Sequence, residues 1–401
     1  MIQLVGDQTV QNLLPVMALR PSKIIQIRSK DKPASNRFKT AAQNFRIAVE
    51  ELSHEPGFNN YRPIVEDIEL ISVSPKISDV QEVVASKLNS ESAAGVNFTG
   101  ATKLMSIGAH RAAAALQIPS LYCDTQEKRF VDGATFKTSI TYPSFEDTAE
   151  SLSVPLLMAA HGKRFADWQA DIPSPELLEY GRICYKSRCD HWDECGQFFD
   201  SLKTFFFREK GGVPKKGQQL AAILADALPV PARLPQSLRA VIDSALTAEI
   251  ICRRNDFYYV NAQTNYLEVS NVANLLIGTW LELAILDMLA THPHLKKPLW
   301  SVRPGNGVQA DFGEMDIVCV DQRSASLRYI SCKSFMSGQV LEHLEAVGDR
   351  AHRMGGSFAG ATLAVFTSFG AQGDVIRNYA KRLRIHPAVG PTQITHEFFQ
   401  P

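Results

Sequence analysis

Glu314, Asp316 and Lys333 flank a polar turn, in Gly313-Glu314-Met315-Asp316-Ile317-Val318-Cys319-Val320 and Leu327-Arg328-Tyr329-Ile330-Ser331-Cys332-Lys333. Alternation of period two in both stretches predicts paired strands. Glu314, Asp316, Val318 and Val320 then share one face of the first strand, while Tyr329, Ser331 and Lys333 alternate with Arg328, Ile330 and Cys332 on the second. An acid and an ammonium meet across the hairpin. Upstream, Glu282 lies in an apolar helical run over 275–289, amid Ile277, Leu281, Ile285 and Leu286, where an unpaired carboxylate is costly. Oxygen donors of this kind suit a hard divalent cation that activates water and neutralises charge on an attacked phosphate. Each residue alone has a plainer reading: Glu282 as a solvated helix position, Glu314 as a turn-flanking charge, Lys333 as a strand-end cation.

An Asp followed on the next strand by acid-x-Lys is the signature of the PD-(D/E)xK phosphodiesterases. The order helix-Glu, strand-Asp, strand-Lys resembles their restriction-endonuclease-like core. The resemblance implies Mg²⁺ or Mn²⁺ held by Glu282, Asp316 and the Cys332 carbonyl, with Lys333 supporting the developing negative charge. Ser331 stands where the second acid belongs, and Glu314 is the other nearby carboxylate. That departure points to weaker metal binding or lost activity.

The elements that must carry these residues follow from periodicity. Strands are expected over 2–5, 24–27, 68–73, 94–98 and 120–123, with helices over 37–51 and 78–88 and a helix capped by Asn12 with Pro15 in its first turn. This alternation predicts a doubly wound α/β domain whose ligands bind beyond the carboxyl ends of parallel strands. At one such end, Asn97-Phe98-Thr99-Gly100-Ala101-Thr102-Lys103-Leu104-Met105 runs from strand through a small-residue turn into a helix. Backbone N–H groups, two Thr hydroxyls and a Lys at a helix N-terminus suit a phosphate. The glycine spacing is not that of a Walker A loop, and a plain Thr-capped turn is the alternative.

Asn97-x-Thr99-Gly100-x-Thr102-Lys103-x-Met105 resembles the signature of the CARF domain, the cyclic-oligoadenylate sensor of type III CRISPR systems. Joined to the restriction-like motif, it resembles the CRISPR ancillary nucleases activated by cyclic tetra-adenylate, over about residues 1–145 and 250–401. The resemblance implies a homodimer with one pocket on the twofold axis. Asn97, Thr99, Gly100, Thr102, Lys103 and Met105 would belong to that pocket, with Gly6, Asp7, Gln8 and Thr9 from the loop after the first strand. Ala101 replaces the second Gly of the motif, a mild change only where no positive φ is needed.

The implied organisation is an N-terminal Rossmann-like CARF domain (1–145), a helical linker or winged-helix-like region (146–250) and a C-terminal restriction-endonuclease-like α/β nuclease domain (251–401). The middle region predicts helices over 149–160, 176–185, 215–227 and 237–254, broken by the Pro-rich stretch 228–235. Its segment Lys203-Thr204-Phe205-Phe206-Phe207-Arg208-Glu209-Lys210, followed by Lys215-Lys216, reads as core flanked by solvated charge or as a nucleic-acid contact. Cys184, Cys189, His191 and Cys195 either surround Zn²⁺ or are buried thiols beside an exposed His. After Lys333, an amphipathic helix over 340–354 turns Leu341, Leu344 and Val347 inward, with a strand over 362–366 and a helix over 373–384 beyond.

Lys plus Arg and Asp plus Glu both number 42, so the chain advertises no global affinity for polyanions, and nucleic-acid contacts must be local. No apolar run of membrane-spanning length is expected, and the N-terminus reads as a strand rather than a signal peptide. With its seven cysteines mostly in core segments, the chain suits a reducing, cytoplasmic compartment. Two functions are expected: a metal-dependent nuclease cutting DNA or RNA under control of cyclic tetra-adenylate, or a CARF sensor whose restriction-like domain only binds nucleic acid or regulates transcription.

Overall fold

The computed structural model of the protein describes residues 1–91, 93–138, 143–206, 226–261, 269–304, 313–335, 340–356, 359–369 and 373–399. A first sheet is built from β1 (Ile2–Leu4), β2 (Lys23–Arg28), β3 (Ile64–Glu69), β4 (Val96–Asn97), β5 (Ser120–Asp124) and β6 (Arg129–Asp132), in the order β3-β2-β1-β4-β5-β6. Every pairing is parallel except β5 with β6. The chain winds outward from β1 on one side and from β4 on the other. The loops after these two neighbours therefore frame the crevice at the topological switch point.

A second sheet follows, from β7 (Trp168–Asp171), β10 (Leu295–Pro304), β11 (Met315–Asp321), β12 (Ser326–Lys333), β13 (Gly360–Val365) and β14 (Ile385–Val389), in the order β14-β13-β12-β11-β10-β7. Between β7 and β10, β8 (Ile251–Arg254) and β9 (Phe257–Val260) form a separate hairpin. β11 and β12 are buried on both faces, since Ile317, Cys319, Ile330 and Cys332 enter one core while Val318, Val320, Leu327 and Tyr329 enter the other. That second core also takes in the helix Val154–Ala160 and Phe45 of the helix Arg37–Leu52. A Val-Pro-Leu-Leu-Met-Ala-Ala helix has no polar face, so it lies buried where the two sheets' cores join.

Several elements depart from the sequence expectations for physical reasons. The third strand begins at Ile64 rather than 68 because its acids are satisfied by β2: Lys23 meets Glu66 at 2.9 Å and Arg28 meets Asp67 at 2.9 Å. Asn12 does not cap a helix. It lies inside Thr9–Leu19, donating to Leu4 O at 2.8 Å and accepting from Asn97 Nδ2 at 3.2 Å. The helix expected over 149–160 is two, Phe145–Glu150 and Val154–Ala160, because Ser153 Oγ accepts from Leu156 N and Pro155 opens a new first turn. The helix expected over 237–254 ends at Thr247 and gives way to β8. Leu344 and Val347 face inward on Val340–Gly355, but Leu341 is exposed. Residues 215–225, with Phe207 to Lys210, lie outside the described residues. Val272–Leu289 is long and apolar enough for a membrane span, contrary to expectation. It is instead a core segment, with Leu281, Leu283 and Ile285 fully buried.

Candidate active site

Glu282, Asp316 and Lys333 line one cleft of about 800 Å³, together with Glu314, Asp171, Arg303, Gly278 and Thr279. The helix Trp280–Leu289 presents Glu282, and a π-helical turn, Leu275–Thr279, leads into it. Such turns occur where a helix must re-aim side chains at a site, and Trp280 Nε1 secures this one by donating to Ile277 O at 3.0 Å.

Asp316 Oδ2 accepts from Cys332 N at 2.7 Å, Ser331 Oγ at 3.2 Å and Lys333 Nζ at 3.3 Å. All three reach the same oxygen. Ser331, in the place of the motif's second acid, is fully buried and lies 3.4 Å from His343 Nε2. It serves to brace Asp316. Glu282 Oε2 accepts from Trp300 Nε1 at 2.8 Å. Burial, and after it the charge of Asp316, pushes the Glu282 carboxyl up to about 8 against that hydrogen bond. Burial opposes the charge on Lys333, but the Asp316 and Glu282 carboxylates outweigh it and hold the ammonium above its ordinary value. Burial and the Lys333 charge push His343 down to about 4, so it stays neutral at pH 7.

A second arm of the site was not legible beforehand. Arg303 forks onto Asp171 at 2.7 and 2.9 Å and donates to Ser301 Oγ at 2.7 Å, and Ser301 Oγ donates to Glu314 Oε1 at 2.6 Å. Glu314 is therefore tied into this network rather than to Asp316. Ser301 holds φ of 51°, a left-handed backbone in mid-strand. On the helix Val340–Gly355, Arg350 reaches the site by donating to Glu314 O at 3.1 Å. Arg353 pairs with Asp349, and Glu345 accepts from Tyr379. Asp171, Trp300, Ser301 and Arg303 lie on strands without a motif, and only a prediction of β7 and β10 would have found them.

Among the described residues, no three His, Cys, Asp or Glu side chains gather as a metal-binding group. The protein brings two carboxylates, Glu282 and Asp316, close enough for one to raise the other. That hard-oxygen pair fits a divalent cation that completes its shell with main-chain oxygen and water. The cysteine cluster gathers no metal site among the described residues: Cys184 and Cys195 are buried, while Cys189 is exposed.

At the switch point of the first sheet, the loops after β1 and β4 touch backbone to backbone. A Cβ on Gly6 would stand 2.5 Å from Ala101 N, and one on Gly100 would stand 2.1 Å from Leu4 O. Asn97 and Thr99 build this turn from within: Thr99 Oγ1 donates to Asn97 Oδ1 at 2.6 Å and accepts from Cys123 N at 2.6 Å. Thr9 is buried, and Met105 is fully buried with its sulfur accepting from Ser29 Oγ at 3.0 Å. Met105 thus supports the turn from the core instead of lining the crevice. Thr102 caps the helix Lys103–Ala115 by accepting from Met105 N. Asp7, Thr102 and Lys103 are exposed, Gln8 is half-buried, and Asp7 pairs with Arg37. Ala101 holds φ of 72°, so this position does need a positive φ, and replacement of glycine here is not mild.

Two solved structures share the fold over nearly the whole chain. Can2 from Sulfobacillus thermosulfidooxidans, solved in complex with cyclic tetra-adenylate, matches at 17% identity with a TM-score of 0.64, covering 100% of this chain and 99% of its own. The chain has the fold of Can2. Protein VC1899 from Vibrio cholerae matches at 13% identity with a TM-score of 0.66, covering 98% of this chain and 94% of its own. No family model and no curated protein sequence matches the chain. The architecture, two six-stranded α/β sheets joined in one chain, is the fold expected from the motifs.

Proposed function

We propose that this chain is a cytoplasmic, cyclic-tetra-adenylate-activated, metal-dependent nuclease that cuts DNA or RNA phosphodiesters in type III CRISPR defence. The observation that carries the reading is the convergence of Glu282, Asp316 and Lys333 in one cleft, with Glu282 pushed up by burial and by Asp316. Glu282 and Asp316 would hold Mg²⁺ or Mn²⁺, which supplies charge neutralisation at the phosphate and an activated water. Lys333, kept charged chiefly by Asp316, would stabilise developing negative charge on the attacked phosphate. Ser331 and the Cys332 N–H fix Asp316 so that little reorganisation is needed.

The activator would meet the helix N-terminus at Thr102 and Lys103 and the loop at Asp7 and Gln8, where N–H groups favour phosphate. The exposed side chains of Leu104, Ile107, Tyr122 and Phe136 on the same domain support pairing with a second copy. Gating has a physical route. Asp7, Gln8 and Gln11 share a cleft of about 470 Å³ with Ser324 and Ser326, at the turn of the hairpin whose far end carries Asp316 and Lys333. That end lies about 20 Å away along β11. The activator shifts the site only as far as it binds one arrangement better than the other.

The test is cleavage of labelled oligonucleotides and nicking of plasmid with Mn²⁺, with and without cyclic tetra-adenylate. Activator-dependent cutting abolished by Asp316→Ala and by Lys333→Ala supports the enzyme. The second reading, a sensor that binds nucleic acid without cutting, draws on Ser331 in place of an acid. It is selected by activator binding without cleavage under any metal.

A further inference from the structure

The catalytic cleft is floored by charge, yet two apolar side chains stand open on its walls. Ile172, beside Asp171, is 94% exposed, and Phe335, two residues past Lys333, is 55% exposed. An aromatic ring more than half exposed within a polar cleft gains little from apolar burial. Its neighbour is telling: the Lys203 ammonium lies 5.1 Å from the Phe335 ring centroid. The cation lies over the ring and covers part of one π-face, and a ring and a cation in contact are the pair that nucleic-acid channels use for a base and its phosphate.

We propose that Phe335 stacks on the nucleobase next to the phosphodiester held at Asp316 and Lys333, with Lys203 meeting that nucleotide's phosphate, so that the cleft takes an unpaired strand. This rests on the nuclease reading of the same cleft. Two residues of chain separate Lys333 from Phe335, about 7 Å at full extension, on the order of one nucleotide step. A duplex offers base edges in its grooves and hides base faces in the stack. A ring on the cleft wall can therefore engage only a base already turned out. Stacking of this kind tolerates any base, so it selects strand state rather than sequence.

The test is fluorescence anisotropy on the full chain with Ca²⁺ in place of Mn²⁺. The probes are single-stranded DNA, single-stranded RNA, duplex DNA and an abasic oligonucleotide of the same length. Stacking predicts that Phe335→Ala weakens single-strand binding about 5- to 150-fold, that Phe335→Trp retains it, and that the penalty vanishes on the abasic strand. The DNA and RNA arms show which sugar the cleft accepts. Equal affinity of wild type and Phe335→Ala, with wild-type cleavage intact, overturns the stacking contact and leaves the nuclease. Duplex binding that matches the single strand and carries the same Phe335→Ala penalty overturns the unpaired-strand requirement. A full Phe335→Ala penalty in a protein that never cuts with Mn²⁺ and activator overturns the nuclease reading and supports the contact.

Discussion

Trp300 donates its indole N–H to Glu282 Oε2 at 2.8 Å, so a strand without any motif holds the carboxylate that shares its field with Asp316. The bond favours the ionised form of Glu282, and its loss raises the carboxyl further. Trp300→Phe is therefore expected to weaken Mn²⁺ binding about tenfold at pH 7, the scale of a hydrogen bond to a charged group. The deficit narrows as the pH rises past 8, because there the proton no longer competes. Calorimetric Mn²⁺ titrations at pH 7 and 9 measure both effects, and an unchanged affinity at pH 7 counts against the role given to Trp300.

Glu282 also sets a pH dependence of stability. Its folded value of about 8 lies above its ordinary 4.5, so the folded state binds the proton more tightly. In metal-free protein this stabilisation is complete below pH about 4.5 and is lost as the pH rises through about 8. Glu282→Gln carries no proton to lose. Against wild type in EDTA, the variant should melt at a similar temperature at pH 4.5 and at a higher one at pH 9. A difference that stays constant over that range would mean Glu282 does not titrate as described.

Ser331 supplies a third prediction. Its hydroxyl donates to Asp316 Oδ2 from a fully buried position, so Ser331→Asp places a second carboxylate against the first. Without metal this should cost a few kcal/mol. Divalent cation binding reverses the sign, because the added acid completes the ligand set. Thermal unfolding of both proteins with and without Mn²⁺ checks it: the variant starts lower and gains more. If Mn²⁺ raises the variant no more than wild type, position 331 does not face the ion.

What the sequence made legible follows from how local each signal is. The alternation in β11 and β12 and the motif turn at residues 97–105 are short-range patterns, and their pairing and caps appear where periodicity placed them. The second arm of the site, Asp171–Arg303–Ser301–Glu314, joins residues more than 130 positions apart across β7 and β10. No spacing rule connects those strands. β3 is read about four residues late, over 68–73 instead of Ile64–Glu69, for a different reason: its acids face the cations of β2, so the first half of this charged edge strand carries no apolar alternation to read. Met105 is the instructive case. A motif position marks that a residue matters to the turn, while only burial tells whether it faces the ligand or the core.

Ala101 brings the last prediction. With φ of 72° it occupies the left-handed region, where a Cβ costs about 1–2 kcal/mol. Glycine relieves that strain but adds freedom to the unfolded chain, so Ala101→Gly should stabilise the protein by about 1 kcal/mol. Gly100 is the opposite case, since any side chain there drives a Cβ into the Leu4 carbonyl. Gly100→Ala should separate the loops after β1 and β4 and weaken cyclic tetra-adenylate binding, whereas Ala101→Gly keeps or tightens it. Denaturant melts give the stability order, and activator titration gives the binding order. If Gly100→Ala binds the activator as wild type does, contact between the two loops is not what shapes the crevice.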